Sequence, residues 1–391
     1  MNLRKRGRTS GRNLAKILLT AAPYGFGPTA KLVCLAQVLA GRHELIYVGG
    51  SPGLELATSA DFDDILEFGD RDAWSENAAT ALKSADLLVS VHEARALYLG
   101  SGVPDRTLFL DTLLWARRMP LPNNRLPTAY VAQRFLKPLN LSVHLTKHIR
   151  QIGAILPPST QTFGALSNKN HAAPIDRDPQ RVLVNMGGLQ SPLTLDGAEI
   201  SYIRAMTRLI AHTRVSDGPL DICLPKHLAR HLATLQAECP AARFMMPSHH
   251  EFQNLLSACS LLITVPGLES VLEALANNVP LIFLPAHNGT QFLQYKAYKD
   301  CSLGLMHMED YLPPPVALDL TGLSLRVQLR NGDLLQTASI ILSLSERLDF
   351  LLENSSKALQ RKNVAHGREL LESIGGDGLT ELESVVEELL I

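Results

Sequence analysis

The chain has 391 residues, of which 46% are hydrophobic and 5% aromatic, and its formal net charge is -1. This length predicts two domains, and this composition excludes a disordered or fibrous chain and favours helices packed on a parallel sheet over an all-β sandwich. No apolar run approaches the roughly 18–20 residues of a membrane span, so we expect a soluble or at most peripheral protein.

The cysteines and the charge distribution bear on compartment and partners. Five cysteines lie far apart and never form a C-x-x-C pair, which favours reduced thiols in the cytoplasm over a zinc site or a disulfide framework. The first 16 residues hold six basic groups and no acid. We interpret them as a solvated start, with at most peripheral contact to anionic lipid and no nucleic-acid partner. Ile17 to Ala22 is too short for the apolar core of a signal peptide.

The first part of the chain alternates between strand-like and helical patterns. Ala15–Ala22 predicts a strand, the turn Pro23–Pro28 contains two glycines, Thr29–Ala40 predicts a helix, and Glu44–Val48 predicts the next strand. This order is a βαβ unit. Further strands are predicted at Asp86–Val91, Thr107–Leu110 and Val143–Leu145. We therefore assign residues 1–160 to a Rossmann-like domain that binds an acceptor.

A polar, proline-containing stretch follows, and we assign residues 161–180 to a linker. A second alternating series then begins, and it places a second Rossmann-like domain at residues 181–330. Its predicted strands and helices are Arg181–Asn185, Glu199–Thr213, Leu220–Leu224, His227–Glu238, Arg243–Met246 and Glu251–Ala258. Residues 331–391 are predicted to be helical, ending in Glu369–Leu390, and we expect them to pack back on the first domain.

The stretch Leu261–Tyr298 is the most informative part of the sequence. Leu261–Val265 is a short apolar run typical of a buried parallel strand, and it stops at Pro266-Gly267. A helix is predicted to start there, with Ser270 in its first turn. Unpaired backbone N–H groups and the positive end of the helix dipole bind a phosphate at such a position. The sequence therefore predicts a phosphate site made by the backbone.

The fold class predicted from these patterns is α/β, with two doubly wound domains and a C-terminal helical segment. In open parallel sheets ligands bind beyond the carboxyl ends of the strands. The polar or glycine residues that follow predicted strands are Gly25, Gly27, His92, Glu93, Asp111, Gly187 and Gly188.

Residues 250–300 resemble the nucleotide-sugar-binding domain of GT-B glycosyltransferases, both the macrolide and flavonoid type and the lipid-linked N-acetylglucosaminyl transferase of cell-wall synthesis. The shared pattern is Gly267, Ser270, Glu273-Ala274-Leu275, Val279-Pro280 and the loop from Pro285 to Gln291. The first 50 residues resemble the acceptor half of these enzymes more weakly, through Gly25-Phe26-Gly27.

This resemblance implies roles for particular residues. Gly267 and Ser270 contact the diphosphate, Glu273 the ribose hydroxyls and Gln291 the sugar hydroxyls. Glu273 lies three residues after Ser270 on the same helical face, and a carboxylate accepts two hydroxyls at once; the alternative is a solvated helix residue. Gly187 and Gly188 join the nucleotide site. For Phe252, core packing is the default interpretation, and holding the base is the functional alternative.

The resemblance also implies the reaction. We expect glycosyl transfer, inverting and without a metal, from a UDP- or TDP-linked sugar to a small-molecule or lipid-like acceptor. The nucleotide sugar is a co-substrate, and no further cofactor is expected. A nucleotide-sugar hydrolase and a non-catalytic auxiliary protein that activates a partner enzyme are the alternatives, and a homodimer or a partner protein fits either.

Three positions depart from the family pattern. Pro28 stands where the acceptor-side histidine that acts as general base is usual, and proline cannot take a proton. Val265 or Pro266 replaces a histidine near the diphosphate, and Thr290 replaces an acid before Gln291. Another group must therefore accept the proton.

We predict that His92 and Glu93 replace the missing base, with Asp111 as second choice, because an imidazole near neutral pKa beside an acid suits proton transfer. Neighbours in an extended segment point to opposite sides, so one of His92 and Glu93 is expected to face the cleft. His249, His250 and Glu251 suggest a metal, but consecutive side chains seldom converge on one ion. We predict no metal site.

Overall fold

The computed structural model of the chain describes residues 14–68, 74–98, 103–116, 126–136, 148–161, 177–317 and 319–391. The predicted strand Val143–Leu145 lies outside these residues, as do most of the basic groups near the start and most of segment 161–180. The described chain forms two parallel sheets with helices around them. We call each sheet with its flanking helices a lobe.

The first lobe contains a seven-stranded sheet in the order β3-β2-β1-β4-β5-β6-β7, and every pair of neighbours is parallel. Its central strands are apolar on both faces, as burial between two helical layers requires. The strands are β1 (Lys16–Ala21), β2 (Glu44–Gly49), β3 (Asp64–Glu67), β4 (Leu87–Val91), β5 (Thr107–Asp111), β6 (Ala129–Gln133) and β7 (Ile149–Ile152).

The helices of the first lobe are α1 (Gly27–Leu39), α2 (Gly53–Ala57), α3 (Glu76–Lys83) and the short α4 (Pro158–Gln161). Helix α1 begins directly after the turn that follows β1, and Pro28 in its first turn has the φ angle that a helix needs. Among the described residues, no side chain caps this end of α1. Its first turn therefore lies at the carboxyl edge of the sheet with its N–H groups uncapped.

The second lobe contains a six-stranded parallel sheet in the order β10-β9-β8-β11-β12-β13. Its strands are β8 (Val182–Asn185), β9 (Leu220–Cys223), β10 (Ala242–Met245), β11 (Leu261–Thr264), β12 (Leu281–Phe283) and β13 (Met306–His307). Its helices are α5 (Ala198–Ala211), α6 (Leu232–Glu238), α7 (His249–Ala258), α8 (Leu268–Ala276), α9 (Gly289–Asp300), α10 (Leu320–Leu334) and α11 (Ala338–Asn354).

Two last helices connect the lobes. Helix α12 (Lys357–Ile374) approaches α8 so closely that a Cβ atom at Gly367 would lie 2.6 Å from Leu275 Cδ2. Helix α13 (Gly378–Leu390) belongs to the first lobe, because Leu379, Leu382 and Val386 are buried in the same cluster as Ile17 of β1. Each such buried side chain contributes roughly 1.5–3 kcal/mol. The end of the chain therefore holds the two lobes together.

In both sheets the chain runs outward in two directions from its first strand, and helices cover both faces. The predicted fold class, two doubly wound domains with a C-terminal helical segment, is confirmed. Two predicted helices differ in detail. The predicted Glu369–Leu390 is broken at Gly375, whose φ of +87° favours glycine. The predicted Glu251–Ala258 starts earlier, at His249, because Ser248 and Glu251 form a capping box.

Candidate functional site

The carboxyl edges of the two sheets face each other across one cavity of about 350 Å³. Both lobes contribute the turns that follow their strands, as expected for doubly wound sheets. From the first lobe these are Gly25–Pro28, His92 and Thr112; from the second they are Gly187–Gly188, Ser248–His249, Gly267–Ser270 and Asn288–Gln291. The cavity brings together most of the residues that the sequence predicts for a site.

The first turn of α8 is open to this cavity. Gly267 is the N-cap residue of α8, and among the described residues no side chain accepts from the first N–H groups of this helix. A Cβ atom at Gly267 would meet only Val265 O, at 3.9 Å, so no neighbouring side chain fills the space beside the turn. The first N–H groups of a helix have no partner within the helix. This end of α8 can therefore take an anionic group from the cavity.

Asn185, at the end of β8, joins two parts of the predicted site. Its Nδ2 donates to Ser270 Oγ at 2.7 Å, and its Oδ1 accepts from Gly187 N–H at 3.0 Å. Because Ser270 Oγ accepts here, its hydroxyl hydrogen remains available to a ligand. Asn185 was not among the site residues predicted from the sequence, although its polar side chain at the carboxyl end of a predicted strand was a usable signal.

The glycine turns of the two lobes touch. Gly25 has a φ of +69°, and a Cβ atom there would lie 2.3 Å from Gly188 O. Gly25 N–H donates to Gln190 O at 2.9 Å, which ties the first turn to the loop after β8. Gly187 and Gly188 line the cavity and also pack against Phe26. Only glycine permits this close approach of the two lobes.

A buried ion pair also crosses between the lobes beside α8. Lys31 of α1 bonds to Glu269 in the first turn of α8, and its Nζ donates to Ile155 O at 3.1 Å. The Lys31 side chain is 1% exposed. Burial raises the pKa of Glu269, and Lys31 opposes that rise. The cation thus offsets a carboxylate that stands next to the predicted phosphate position.

Glu273 and His249 form a second pair in the cavity wall. His249 Nε2 lies 2.8 Å from Glu273 Oε1, and both residues line the cavity. Burial acts to lower the pKa of His249, but the Glu273 carboxylate outweighs it, so this pKa lies above the ordinary value. Phe252, one turn after His249, is buried and also lines the cavity. From its sequence position, His249 was weighed only as a metal ligand, and its pairing with Glu273 was not predicted.

Gln291 lies in the first turn of α9. Asn288 caps this helix by accepting from Gln291 N–H, and Gln291 Oε1 accepts from His287 N–H at 2.8 Å. The Nε2 amide of Gln291 is therefore the group left for a ligand. Thr290 and Gln294 of α9 and Thr321 and Ser324 of α10 extend this wall, so its side chains are uncharged amides and hydroxyls.

His92 and Asp111 form a histidine–carboxylate pair in the first lobe. His92 Nδ1 lies 3.5 Å from Asp111 Oδ1, and Thr112 N–H donates to His92 Nε2 at 3.3 Å. Thr112 Oγ1 is also 2.8 Å from Nε2. Because Nε2 accepts from a backbone N–H group, the ring proton of a neutral His92 is on Nδ1, facing Asp111.

Asp111 stands behind His92 and does not line the cavity. Its carboxylate is fully buried and accepts from Tyr130 OH at 2.8 Å and from Leu113 N–H at 2.9 Å. His92 has a φ of +59°, which is rare for a residue other than glycine. Backbone strain of this kind clusters at functional sites. The strained turn presents the imidazole to the cavity, with the acid as its support.

Glu93 faces another way. Its carboxylate holds the Arg95 side chain at 2.8 and 2.7 Å, and it is not among the described residues that line the cavity. Pro28 does line the cavity, where its ring has no group that accepts a proton. Of the three predicted catalytic residues, the structure therefore brings His92 to the cavity, Asp111 behind it, and Glu93 elsewhere.

Two further properties concern the described residues as a whole. Within them, no group of three or more His, Cys, Asp or Glu side chains is arranged to hold a metal ion. In the same part of the chain, every helix is too short or too polar to cross a membrane.

No protein-family model matches the chain, and no curated protein is significantly similar in sequence. Solved structures are similar over nearly the whole chain. The glycotransferase of kitacinnamycin has 15% identity and a TM-score of 0.54 over 97% of this chain and 100% of its own. Os79 from O. sativa, in complex with U2F and trichothecene, has 15% identity and a TM-score of 0.59 over 96% and 100%.

A third similar structure is UGT2 of Phytolacca americana, complexed with UDP-2fluoro-glucose and pterostilbene. It has 14% identity and a TM-score of 0.52 over 96% of this chain and 99% of its own. Likeness at such low identity defines the fold. The chain therefore has the GT-B fold of nucleotide-sugar glycosyltransferases, as the resemblance of residues 250–300 predicted.

Proposed function

We propose that the protein is a glycosyltransferase that moves a sugar from a nucleotide diphosphate sugar to a small-molecule or lipid-like acceptor. The observation that carries this proposal is the open first turn of α8, which faces the cavity between the lobes with no side chain capping it. A diphosphate there meets backbone N–H groups, the Ser270 hydroxyl and the helix dipole. The dipole contributes about 0.3–1 kcal/mol per charge, and up to ~2 in a partly buried site.

The rest of the donor fits around this anchor. Glu273 accepts ribose hydroxyls one turn further along α8, Phe252 and the Gly187–Gly188 turn border the nucleoside, and Gln291 donates to a sugar hydroxyl. The leaving diphosphate gains charge as its bond to the sugar breaks, and fixed backbone dipoles stabilise such charge without reorganising. We propose that the reaction needs no metal for this reason.

The acceptor hydroxyl attacks the anomeric carbon of the bound sugar. Its oxygen forms the new glycosidic bond, the bond from that carbon to the diphosphate oxygen breaks, and the diphosphate keeps the electron pair. The acceptor hydroxyl displaces the Thr112 contacts from Nε2 of His92 and gives its proton to that nitrogen, and Asp111 stabilises the resulting imidazolium. A single displacement of this kind inverts the anomeric carbon. His92 therefore takes the role of the histidine that Pro28 replaces.

Gly267 provides a direct test of the donor site. Its φ is -87°, and a Cβ atom there meets open space, so Gly267→Val is expected to fold while covering the phosphate position. The wild type should show a thermal shift with UDP, TDP or their sugars. Binding to the native state alone adds about 2.7 kcal/mol at a hundredfold excess over Kd. Gly267→Val should lose that shift.

Gly332→Val is the matched control, because Gly332 also faces open space but lies in α10, away from the cavity lining. It should keep the ligand-induced shift. Turnover separates the candidate functions. A transferase releases nucleotide diphosphate only when an acceptor is present, whereas a hydrolase also releases free sugar without one. A protein that binds no nucleotide at all would contradict both activities and favour an auxiliary role.

A further inference from the structure

The start of α8 differs from the starts of its neighbours at the cavity. Helices α7, α9 and α10 also begin there, and a side chain caps each of them: Ser248, Asn288 and Asp319. Among the described residues α8 has no such cap, although Glu269 stands in its first turn. A carboxylate there is attracted to the unpaired N–H groups and to the positive end of the helix dipole. Some other group must therefore hold the Glu269 carboxylate away from this end.

Helix α7 shows the alternative arrangement. Its first-turn carboxylate, Glu251, folds back on the start of its own helix, where Oε2 accepts from Ser248 N–H at 2.7 Å. Glu269 is the same residue type, one position nearer the start of its helix, and it lines the cavity. Without another partner, its carboxylate would compete with a ligand for the first N–H groups of α8.

The group that holds Glu269 belongs to the first lobe. Lys31 Nζ forms an ion pair with Glu269 Oε2 and donates to Ile155 O at 3.1 Å. The side chains of Lys31 and Glu269 are 1% and 17% exposed, so salt screens this pair little. A Cβ atom at Gly27 would lie 3.5 Å from Glu269 Cγ and 3.7 Å from its Oε1. The carboxylate therefore lies against the positive end of α1 as well as against its lysine.

We propose that Lys31 is a positioning residue for the donor. It holds the Glu269 carboxylate off the first turn of α8, so the donor site of the second lobe is complete only when the first lobe lies against it. This inference rests on the proposed function. Lys31 is not among the described residues that line the cavity, and it acts on the diphosphate through Glu269.

Loss of Lys31 should have two effects on a diphosphate, both unfavourable. The negative charge of Glu269 would no longer be offset, and it would repel the anion beside it. The released carboxylate would also take the N–H groups that the diphosphate needs, as Glu251 does in α7. Glutamine at position 269 cancels both effects, because it carries no charge to repel the ligand or to be drawn to the dipole. Donor binding should therefore depend on the two residues jointly.

Isothermal titration with UDP and TDP, at a temperature where each variant is folded, tests this dependence. Lys31→Met should bind the nucleotide at least about tenfold more weakly than the wild type. Glu269→Gln should bind it at least as tightly as the wild type, and the double variant should return to near the wild-type Kd. A merely structural effect of Lys31 on the cavity would leave the double variant as weak as the single one.

Arg181→Met is the matched control. Arg181 pairs with the buried carboxylate of Asp221 at 2.9 Å, near the amino ends of β8 and β9 and outside the cavity lining. Its loss also takes a cation from a buried acid, but the Kd for the nucleotide should stay at the wild-type value.

Glu269→Asp is a second measurement that keeps Lys31 in place, and it decides the question if Lys31→Met does not fold. Aspartate is shorter by one methylene group, so its carboxylate withdraws from Lys31 toward the start of α8. Nucleotide binding should weaken, in the same direction as in Lys31→Met.

Three results would overturn this role of Lys31 and leave the proposed function intact. They are wild-type affinity in folded Lys31→Met, no recovery of affinity in the double variant, and wild-type affinity in Glu269→Asp. If no nucleotide diphosphate binds the wild type, the proposed function fails together with this role.

Discussion

Each lobe places one histidine–carboxylate pair at the same cavity, but the two pairs present different groups to it. In the first lobe His92 lines the cavity and Asp111 stands behind it, fully buried. In the second lobe His249 and Glu273 both line the cavity, and the carboxylate keeps an unused oxygen. The first pair therefore offers an imidazole nitrogen, and the second offers a carboxylate oxygen.

The surroundings of each acid explain the difference. Asp111 ends β5, where Tyr130 OH and Leu113 N–H already occupy its oxygens, so its remaining role is to support His92. Glu273 lies inside α8, and among the described residues its carboxylate receives only the His249 contact. We therefore propose that the same two residue types serve proton transfer in one lobe and ligand binding in the other, because environment sets the role of a carboxylate.

The largest expected effect concerns the first pair. His92→Gln should lower kcat by about 10²–10⁴, the usual contribution of a general base, because glutamine cannot accept the hydroxyl proton. The Kd for the nucleotide should hardly change, because the diphosphate anchor belongs to the other lobe. Steady-state rates with the acceptor and titration with the nucleotide diphosphate measure the two quantities.

Glu93→Gln sharpens the same comparison. Glu93 precedes Arg95 in the same turn and holds it, outside the cavity lining, so its loss should cost less than about tenfold in kcat. Similar losses in the two variants would show that the turn as a whole matters, and would remove the distinction between His92 and its neighbour.

The second-lobe wall of the cavity was the part most predictable from sequence. One continuous stretch of the chain contains Gly267, Ser270, Glu273 and Gln291. Within such a stretch, local periodicity indicates both the type of each element and which of its faces is buried. The first-lobe site was less predictable. His92 and Asp111 follow different strands, so only the pairing of β4 with β5 brings them together, and the left-handed backbone of His92 gives no signal in the sequence.

Three of the missed strands have a common physical cause. Strands β3, β7 and β13 lie at sheet edges or are very short, and β3 and β7 carry charged residues such as Asp64 and Arg150. Edge strands need less apolar sequence because one side faces solvent. The burial of Lys31 was not predicted for another reason. Its partner Glu269 is more than 200 residues away in the sequence, and no local sequence pattern indicates that a lysine is buried.

The next largest effect should come from Lys31, whose pair with Glu269 crosses between the lobes. Lys31→Met leaves the Glu269 carboxylate buried without its cation. Breaking a buried pair in this way costs about 3–5 kcal/mol in the free energy of unfolding. Urea unfolding measures this loss, and Lys83→Met on the exposed face of α3 is the matched control, with an expected change within about 0.5 kcal/mol.

The double variant Lys31→Met with Glu269→Gln should recover part of this loss, because it removes the unpaired charge as well. An equal loss in the single and double variants would mean that the two side chains act independently, in contradiction to their contact in the structure.

The smallest expected effect concerns a third histidine, His227, which lies near one carboxylate from each lobe. It tests whether a histidine between two carboxylates stabilises the contact between the lobes. His227 Nε2 lies 2.8 Å from Glu199 of the second lobe, and Nδ1 lies 3.9 Å from Glu55 of the first. Hydrogen bonding to Glu199, and then to Glu55, raises the pKa of His227 to about 9. Unlike His92, this histidine is part of no ligand contact that we propose.

Because the pKa of His227 is higher in the folded than in the unfolded protein, its protonation stabilises the fold. This stabilisation is complete at pH values below the unfolded pKa of 6.5, and it is lost as the pH rises through the folded pKa of about 9. Since the side chain is 31% exposed, the effect should be on the order of 1–2 kcal/mol after solvent screening. His227→Gln should therefore be less stable than the wild type at pH 6 and close to it at pH 10. His212→Gln changes an exposed histidine at the end of α5, and its stability should match that of the wild type at both pH values.

The loss of stability in His227→Gln could instead be the same at pH 6 and pH 10. That result would assign His227 a packing role and would leave charge pairing between the lobes to Lys31 and Glu269.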